Sequence, residues 1–306
     1  MKHILKLSAL LFLGFLMSFS AFPQQIPENN FYNINPFVVN PAAAGINGEV
    51  AAYLDYRDQW TGFNNGPKTM QFGIHALVSN AIGLGLKVSQ QNHGVLSEFS
   101  IDVNYSHRLK ISTYETIAFG LDFGIAQNRI DFDNIYIEDP SDPALLYQNL
   151  NKTFFHTGIG LHYNRKAMNI HVSVPLLYNS QYNKVFQTVF AFFSYDFMLL
   201  DKQWAIQPSL MYRYNDKDFH EFGVNIMVEW KNQLWFQAGF RSVGSSSIGA
   251  GIRFNNIGLG YSYDLISSRF STAASSTHEI VLLIDTRFSL PKKRPLYKST
   301  RGGYAN

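Results

Sequence analysis

From residue 49 onward the chain alternates apolar with small or polar residues at a period of two, and it does so as far as residue 288. Ile82, Leu84, Leu86 and Val88 alternate with Gly83, Gly85, Lys87 and Ser89, and Phe99, Ile101, Val103 and Tyr105 with Ser100, Asp102, Asn104 and Ser106. Near the other end, Ile257, Leu259, Tyr261 and Tyr263 alternate with Gly258, Gly260, Ser262 and Asp264. Successive side chains of a strand leave on opposite faces, so each run has one apolar face and one face of glycine and polar groups. Fourteen such segments are legible, near 49-58, 67-78, 81-91, 97-109, 114-128, 152-164, 167-175, 186-197, 203-214, 220-230, 233-241, 246-254, 257-266 and 277-288. No helical period of 3.6 persists beyond the first two dozen residues.

Many alternating strands fit either a soluble sandwich or propeller, with the apolar face inward, or a transmembrane barrel, with that face toward lipid. The connections favour the barrel. Turns around Ser79-Asn80, Lys110 to Thr113, Lys166, Leu199 to Lys202, Lys231-Asn232 and Asn255-Asn256 are brief. The intervening connections are mostly longer, the largest running from Arg129 to Asn151. Short turns on the periplasmic side and longer loops outside are the habit of outer-membrane barrels. Segment lengths also suit tilted strands, which need about 9–11 residues to cross a bilayer. The fold expected is therefore all-β, a transmembrane antiparallel β-barrel of about 14 strands, with an N-terminal plug or periplasmic segment.

Composition sharpens this reading. Only 15% of the 306 residues are charged, where a soluble domain carries about 25%, and Phe and Tyr are both abundant. The first residues, MKHILKLSALLFLGFLMSFSAFPQQ, have a basic start at Lys2 and Lys6, an apolar core from Leu7 to Met17 and small residues near Ser20 and Ala21. This is the form of a secretory signal peptide, assigned to 1-23; a retained anchor is the alternative. An extended or plug segment follows at 24-48, then the barrel at 49-288 and a basic tail at 289-306. Of the formal charge of +3, the leader lysines and five basic tail residues supply +7, leaving −4 between them. Basic excess confined to the ends argues against nucleic acid. With no cysteine, disulfides and thiolate metal sites are excluded.

On the polar face, Gly73, Gly120, Gly124, Gly158, Gly160, Gly223, Gly239, Gly249 and Gly251 recur. Glycine weakens a strand, so the set implies that something passes close to the inner wall. The candidate is Phe22 to Gly48, which lacks alternation and contains Pro23, Pro27, Pro36 and Pro41. The same face carries Asp55, Arg57, Lys87, Asp102, Asp122, Asp196, Arg213, Glu229, Arg241, Arg253, Asp285 and Arg287. Mixed signs suggest a lumen tied by ion pairs, with Arg57 pairing an acid such as Asp55 or Asp102. A turn at Lys166-Ala167 sets His162 opposite His171, but a metal site needs a third ligand and none is apparent. No GxSxG is present, and GLGLK and GAGIR lack the helix and GK[ST] ending of a phosphate loop. No cofactor, metal or catalytic constellation is expected.

The stretch FYNINPFVVNPAAAGINGEVAAYLDYRDQWTGFNNGPKTMQF, residues 31 to 72, is followed in order by IGLGLKVSQQNHG, YSHRLKI, FDNIYIEDPSDPAL and YSYDLISSRFSTAASSTHEIVLLIDTRF. Together these resemble the PorP/SprF family of outer-membrane proteins associated with type IX secretion and gliding motility in Bacteroidota. The resemblance spans about Phe31 to Phe288. It implies a barrel that works with secretion machinery, not an enzyme. Its partners would be a secreted surface protein with a type IX C-terminal domain, periplasmic or outer-membrane components of the machinery, and membrane lipid. The family's motif positions fall on Asn40, Pro41, Gly45, Tyr56, Arg57, Gln59, Trp60, Gly62, Asp139 and Pro140, as plug supports or as partner contacts. From the residues alone, Asn40-Pro41 is a turn and Trp60 an interface aromatic. The competing function is a passive transporter of hydrophobic small molecules, which would need an apolar pocket beside the plug.

Overall fold

The computed structural model describes residues 28–46, 50–63, 65–130, 151–181, 184–199, 203–215, 219–266 and 276–286. Strands β1 (Val50–Thr61), β2 (Lys68–Leu77), β3 (Ile82–His93), β4 (Leu96–Ser112) and β5 (Glu115–Ile130) lead into β6 (Lys152–Arg165), β7 (Met168–Asn179) and β8 (Lys184–Tyr195). The two-residue β9 (Phe197–Met198) precedes β10 (Trp204–Asn215), β11 (Phe219–Trp230), β12 (Leu234–Arg241), β13 (Ser245–Phe254), β14 (Ile257–Ile266) and β15 (Ser276–Thr286). Each long strand pairs antiparallel with its sequence neighbours. β1 closes the ring on β15, from Val50 opposite Thr286 to Thr61 opposite Ser276. The result is a closed barrel of fourteen strands with β9 as an extra fragment paired to β10.

Burial is inverted relative to a soluble protein. Outward positions such as Phe72, Ile101, Phe123, Leu210, Phe236 and Ile252 are exposed, while Asp55, Arg57, Asn104, Asp122, Glu221 and Glu279 are buried. Large apolar side chains all round the exterior are stable only against hydrocarbon, and the polar face is enclosed by ring closure.

One end of the barrel is closed by tight turns in which Lys166, Lys231, Asn232 and Asn255 adopt left-handed backbone, with φ of 54°, 51°, 57° and 52°. Such φ values match the twist of the flanking strands in a short hairpin, as expected at Asn255-Asn256. The opposite end carries the longer connections, with two departures from the expected asymmetry. β3 and β4 are joined there by Gly94 and Val95 alone, Gly94 having φ 63°, and the connection holding β9 lengthens one turn at the other end. β7 bulges between Ser173 and Tyr178, breaking its register with both β6 and β8. The expected leader, the basic tail, Arg287 and the terminal Phe288 lie outside the described residues.

Candidate functional site

The lumen is occupied by residues 28–46. They form no α-helix, only two 3₁₀ turns at Pro36–Val38 and Pro41–Ala43, each opened by a proline whose missing N–H has no partner to lose there. A segment threading a polar barrel must satisfy its backbone on the wall, and this one does. Asn30 N donates to both Glu279 carboxylate oxygens at 3.0 and 3.1 Å, and Asn30 O accepts from Gln237 Nε2 at 3.2 Å. Ser173 Oγ donates to Val39 O at 2.7 Å, and Ser106 Oγ to Ala42 O at 3.0 Å. Near the tight-turn end, Gly45 N donates to His75 Nδ1 at 3.0 Å.

Aromatic side chains of the segment fill the rest. Phe31 packs edge-on against Trp235 at 5.5 Å, Tyr32 against Phe190 and Phe192, and Phe37 lies 4.5 Å from the His75 ring. Phe31 and Phe37 are fully buried. The wall glycines answer the question raised by the alternation, but only some as expected. A Cβ on Gly120 would overlap the backbone of Pro41 and Ala42, one on Gly160 the Asn40 side chain, and one on Gly83 the Ala44 carbonyl. These positions must be glycine for the plug to lie against the wall. Gly73, Gly249 and Gly251 instead make room for inner-wall side chains, Gly251 for the ring of Trp235.

At the long-loop half, Glu28 faces three arginines from three strands: Arg57 at 3.3 Å, Arg213 at 3.1 Å and Arg241 at 3.1 Å. Burial alone would push the Glu28 carboxyl up, but Arg241, Arg57 and Arg213 outweigh it and hold its pKa at about 2. Arg57, 1% exposed, also meets Glu279 at 2.5 Å and Asp264 at 2.7 Å. Arg213 pairs with Glu221 at 2.6 Å, and Arg241 donates to Asn30 Oδ1. The expected pairing of Arg57 with Asp55 or Asp102 is therefore wrong. Ring closure puts Glu279 of β15 directly opposite Arg57, while Asp102 on β4 accepts from His156 Nε2 at 2.5 Å.

The family positions divide. Asn40 is fully buried, accepts from Ala42 N at 2.9 Å as the cap of the second 3₁₀ turn, and donates to Leu161 O at 2.9 Å. Gly45 has φ 70°, and a Cβ there would strike Ala76. Arg57 holds the plug through Glu28, and Gln59 Nε2 lies 3.5 Å from the same carboxylate. Tyr56 points outward, 41% exposed. Trp60 is exposed with φ 59°, an unusual state for a bulky residue, in the irregularity between Asp58 and Thr61; Gly62 follows with φ 96°. Asp139 and Pro140 lie outside the described residues. His162 and His171 do pair, with rings stacked at 4.0 Å, and His171 stacks in turn on Phe192 at 4.3 Å and meets Asn40. The pair is part of the packing around the plug.

Glu28, Glu221, Asp264 and Glu279 were not foreseen as members of the ion network. For Glu221 and Glu279 the signal was present, because they share the parity of Gly223 and Asp285. For Glu28, in a segment with no period, none exists.

A closed strand ring with a lipid-type exterior and a plugged, ion-paired lumen defines a transmembrane β-barrel. The chain belongs to the family of type IX secretion system membrane proteins PorP/SprF, whose family model matches residues 21–284. No curated protein matches it. Among solved structures, the CymD monoaromatic hydrocarbon channel aligns with TM-score 0.49 and 12% identity over 86% of this chain and 93% of its own. Omp33 from Acinetobacter baumannii aligns with TM-score 0.45 and 10% identity over 78% and 97%. CdiB from Acinetobacter baumannii gives 0.43 and 11%, this chain covering 60% of CdiB's length. These are likenesses of barrel architecture.

Proposed function

We propose that this protein is a non-enzymatic outer-membrane barrel of the type IX secretion and gliding apparatus, supporting secretion or surface attachment of a partner protein. The observation that carries this reading is the plug. Residues 28–46 are hydrogen-bonded to the wall along their length and fill much of the lumen, with Phe31 and Phe37 fully buried. A barrel so filled works through its rims. The tight-turn end faces the periplasm, as the short turns of such barrels do, and the long-loop end faces outward. There the segment Trp60–Phe63, with its exposed edge-to-face aromatic pair at 6.4 Å, forms part of the surface offered to a secreted protein with a type IX C-terminal domain. Machinery components meet the periplasmic rim, and the signal peptide at 1-23 directs export.

The transporter reading requires an apolar pocket beside the plug. A cavity of about 110 Å³ lies there, in which Val38, Tyr53, Leu96, Phe154 and Leu176 share the lining with Lys87, Glu98, Asp102, Asp122 and His156; a hydrophobic solute would leave those charged groups without partners, which counts against the transporter. The test is affinity capture of the tagged barrel from membranes in mild detergent, followed by mass spectrometry. Recovery of a large secreted protein or of periplasmic machinery subunits supports the proposal. Recovery of the barrel alone with bound lipid or fatty acid refutes it in favour of transport.

A further inference from the structure

The cavity beside the plug contains, among its charged lining residues, an arrangement that neither the family nor the plug explains. Asp102 on β4, Asp122 on β5 and His156 on β6 project from three adjacent strands into the lumen, and one ligand atom from each lies within 4.8 Å of the others. All three are buried and all three line the cavity. Their outer oxygens are already committed. Ser100 Oγ donates to Asp102 Oδ2 at 3.1 Å, while Lys87 Nζ and Asn104 Nδ2 donate to Asp122 Oδ2 at 2.8 and 2.7 Å. That leaves Asp122 Oδ1 buried with no hydrogen-bond partner among the described residues, on a side chain 4% exposed. The Oδ1 of Asn104, a fully buried residue, is likewise unpartnered among them. Buried acceptors are ordinarily satisfied, and two left over on side chains that are hydrogen-bonded neighbours call for a cation or a water.

We propose that Asp102, Asp122 and His156 bind a divalent transition-metal cation in the lumen. Two carboxylates and one imidazole are a ligand set for zinc- or manganese-type ions, and three protein ligands with open positions filled by water from the cavity satisfy the coordination requirement. The donors on the outer oxygens orient both carboxylates toward the centre, as supporting hydrogen bonds do around metal ligands. Gly124 clears the space, since a Cβ there would overlap His156 Nε2 and Asp102 Oδ1. Charge agrees as well. Glu98, Asp102 and Asp122 against Lys87 leave two formal negative charges when His156 is neutral, which one divalent cation balances. Binding takes the place of the hydrogen bond between His156 Nε2 and Asp102 Oδ1, the neutral imidazole then carrying its one proton on Nδ1, and it ties β4, β5 and β6 together beside Val38 of the plug.

The test uses the tag-free, refolded barrel in detergent, stripped with chelator and titrated calorimetrically with Zn²⁺ and, separately, Mn²⁺. One equivalent of at least one of the two ions should bind. The variants Asp122→Asn and His156→Ala should each weaken that binding by about tenfold or more, the range seen even for outer-shell partners, while His220→Ala on the rim leaves it unchanged. Retention of the heat-modifiable electrophoretic band checks that the variants fold. Where they do not, X-ray absorption of the Zn²⁺-loaded unsubstituted protein reads the shell directly: one imidazole nitrogen among oxygens supports the site. Absence of stoichiometric binding, binding indifferent to both substitutions, or a shell with several imidazoles or none overturns it.

Discussion

Glu28→Gln tests what holds the plug. The substitution keeps size and shape but removes the charge that Arg57, Arg213 and Arg241 share, at 3.3, 3.1 and 3.1 Å. In the folded protein the carboxyl sits at about 2 against an ordinary 4.5, a preference for the ionised form of about 3 kcal/mol. The arginines retain Glu221, Asp264 and Glu279, so part of this persists in the variant, and about 2–3 kcal/mol of plug seating should be lost. That is roughly a 30- to 160-fold rise in the unseated population. Because the chain has no cysteine, Ala43→Cys places a single, fully buried thiol in the plug. Its rate of labelling by a maleimide reports unseating. The rate should rise by the same factor in Glu28→Gln, with the folded barrel band unchanged. The sign with pH follows from the depressed pKa: the stabilisation is present above 4.5 and lost as pH falls through about 2. Acid should therefore raise the labelling rate, taken relative to a free thiol at the same pH because the reactive thiolate falls about tenfold per pH unit, toward that of the variant, and the variant should lack that rise. Equal labelling in both proteins at pH 7 would refute the assignment of Glu28 as the pin.

Three further outcomes are expected. Arg57→Met strands Glu279 and Asp264 in the wall and should lower barrel stability by about 3–5 kcal/mol, read as the midpoint of urea unfolding in lipid vesicles. Gly120→Val drives a side chain into Pro41 and Ala42 and should unseat the plug by about 1–3 kcal/mol, seen as faster labelling at Ala43→Cys, while β5 stays folded. Phe123→Arg on the outer face meets hydrocarbon and should destabilise the membrane-inserted barrel by about 2–4 kcal/mol, a loss reduced or abolished in detergent–water mixtures that solvate the guanidinium.

Much of this architecture is local. A period of two is a property of each strand, so strand number, strand limits to within a few residues and the identity of the two faces are written in runs such as Ile257–Asp264. Wall glycines carried a real trace of the plug, because a missing Cβ records a close approach wherever it comes from. The same local code is silent on which strands meet when the ring closes. Arg57 takes Glu279 as its partner because β1 joins β15 across 222 positions of sequence, so Asp55, two residues away, was the wrong acid to choose. Glu28 had no period to betray it and acquires its role only from three arginines on β1, β10 and β12. Asp102, Asp122 and His156 look like unrelated polar positions until antiparallel register aligns β4, β5 and β6. Alternation tells a side chain which way to point; only closure decides what it meets there.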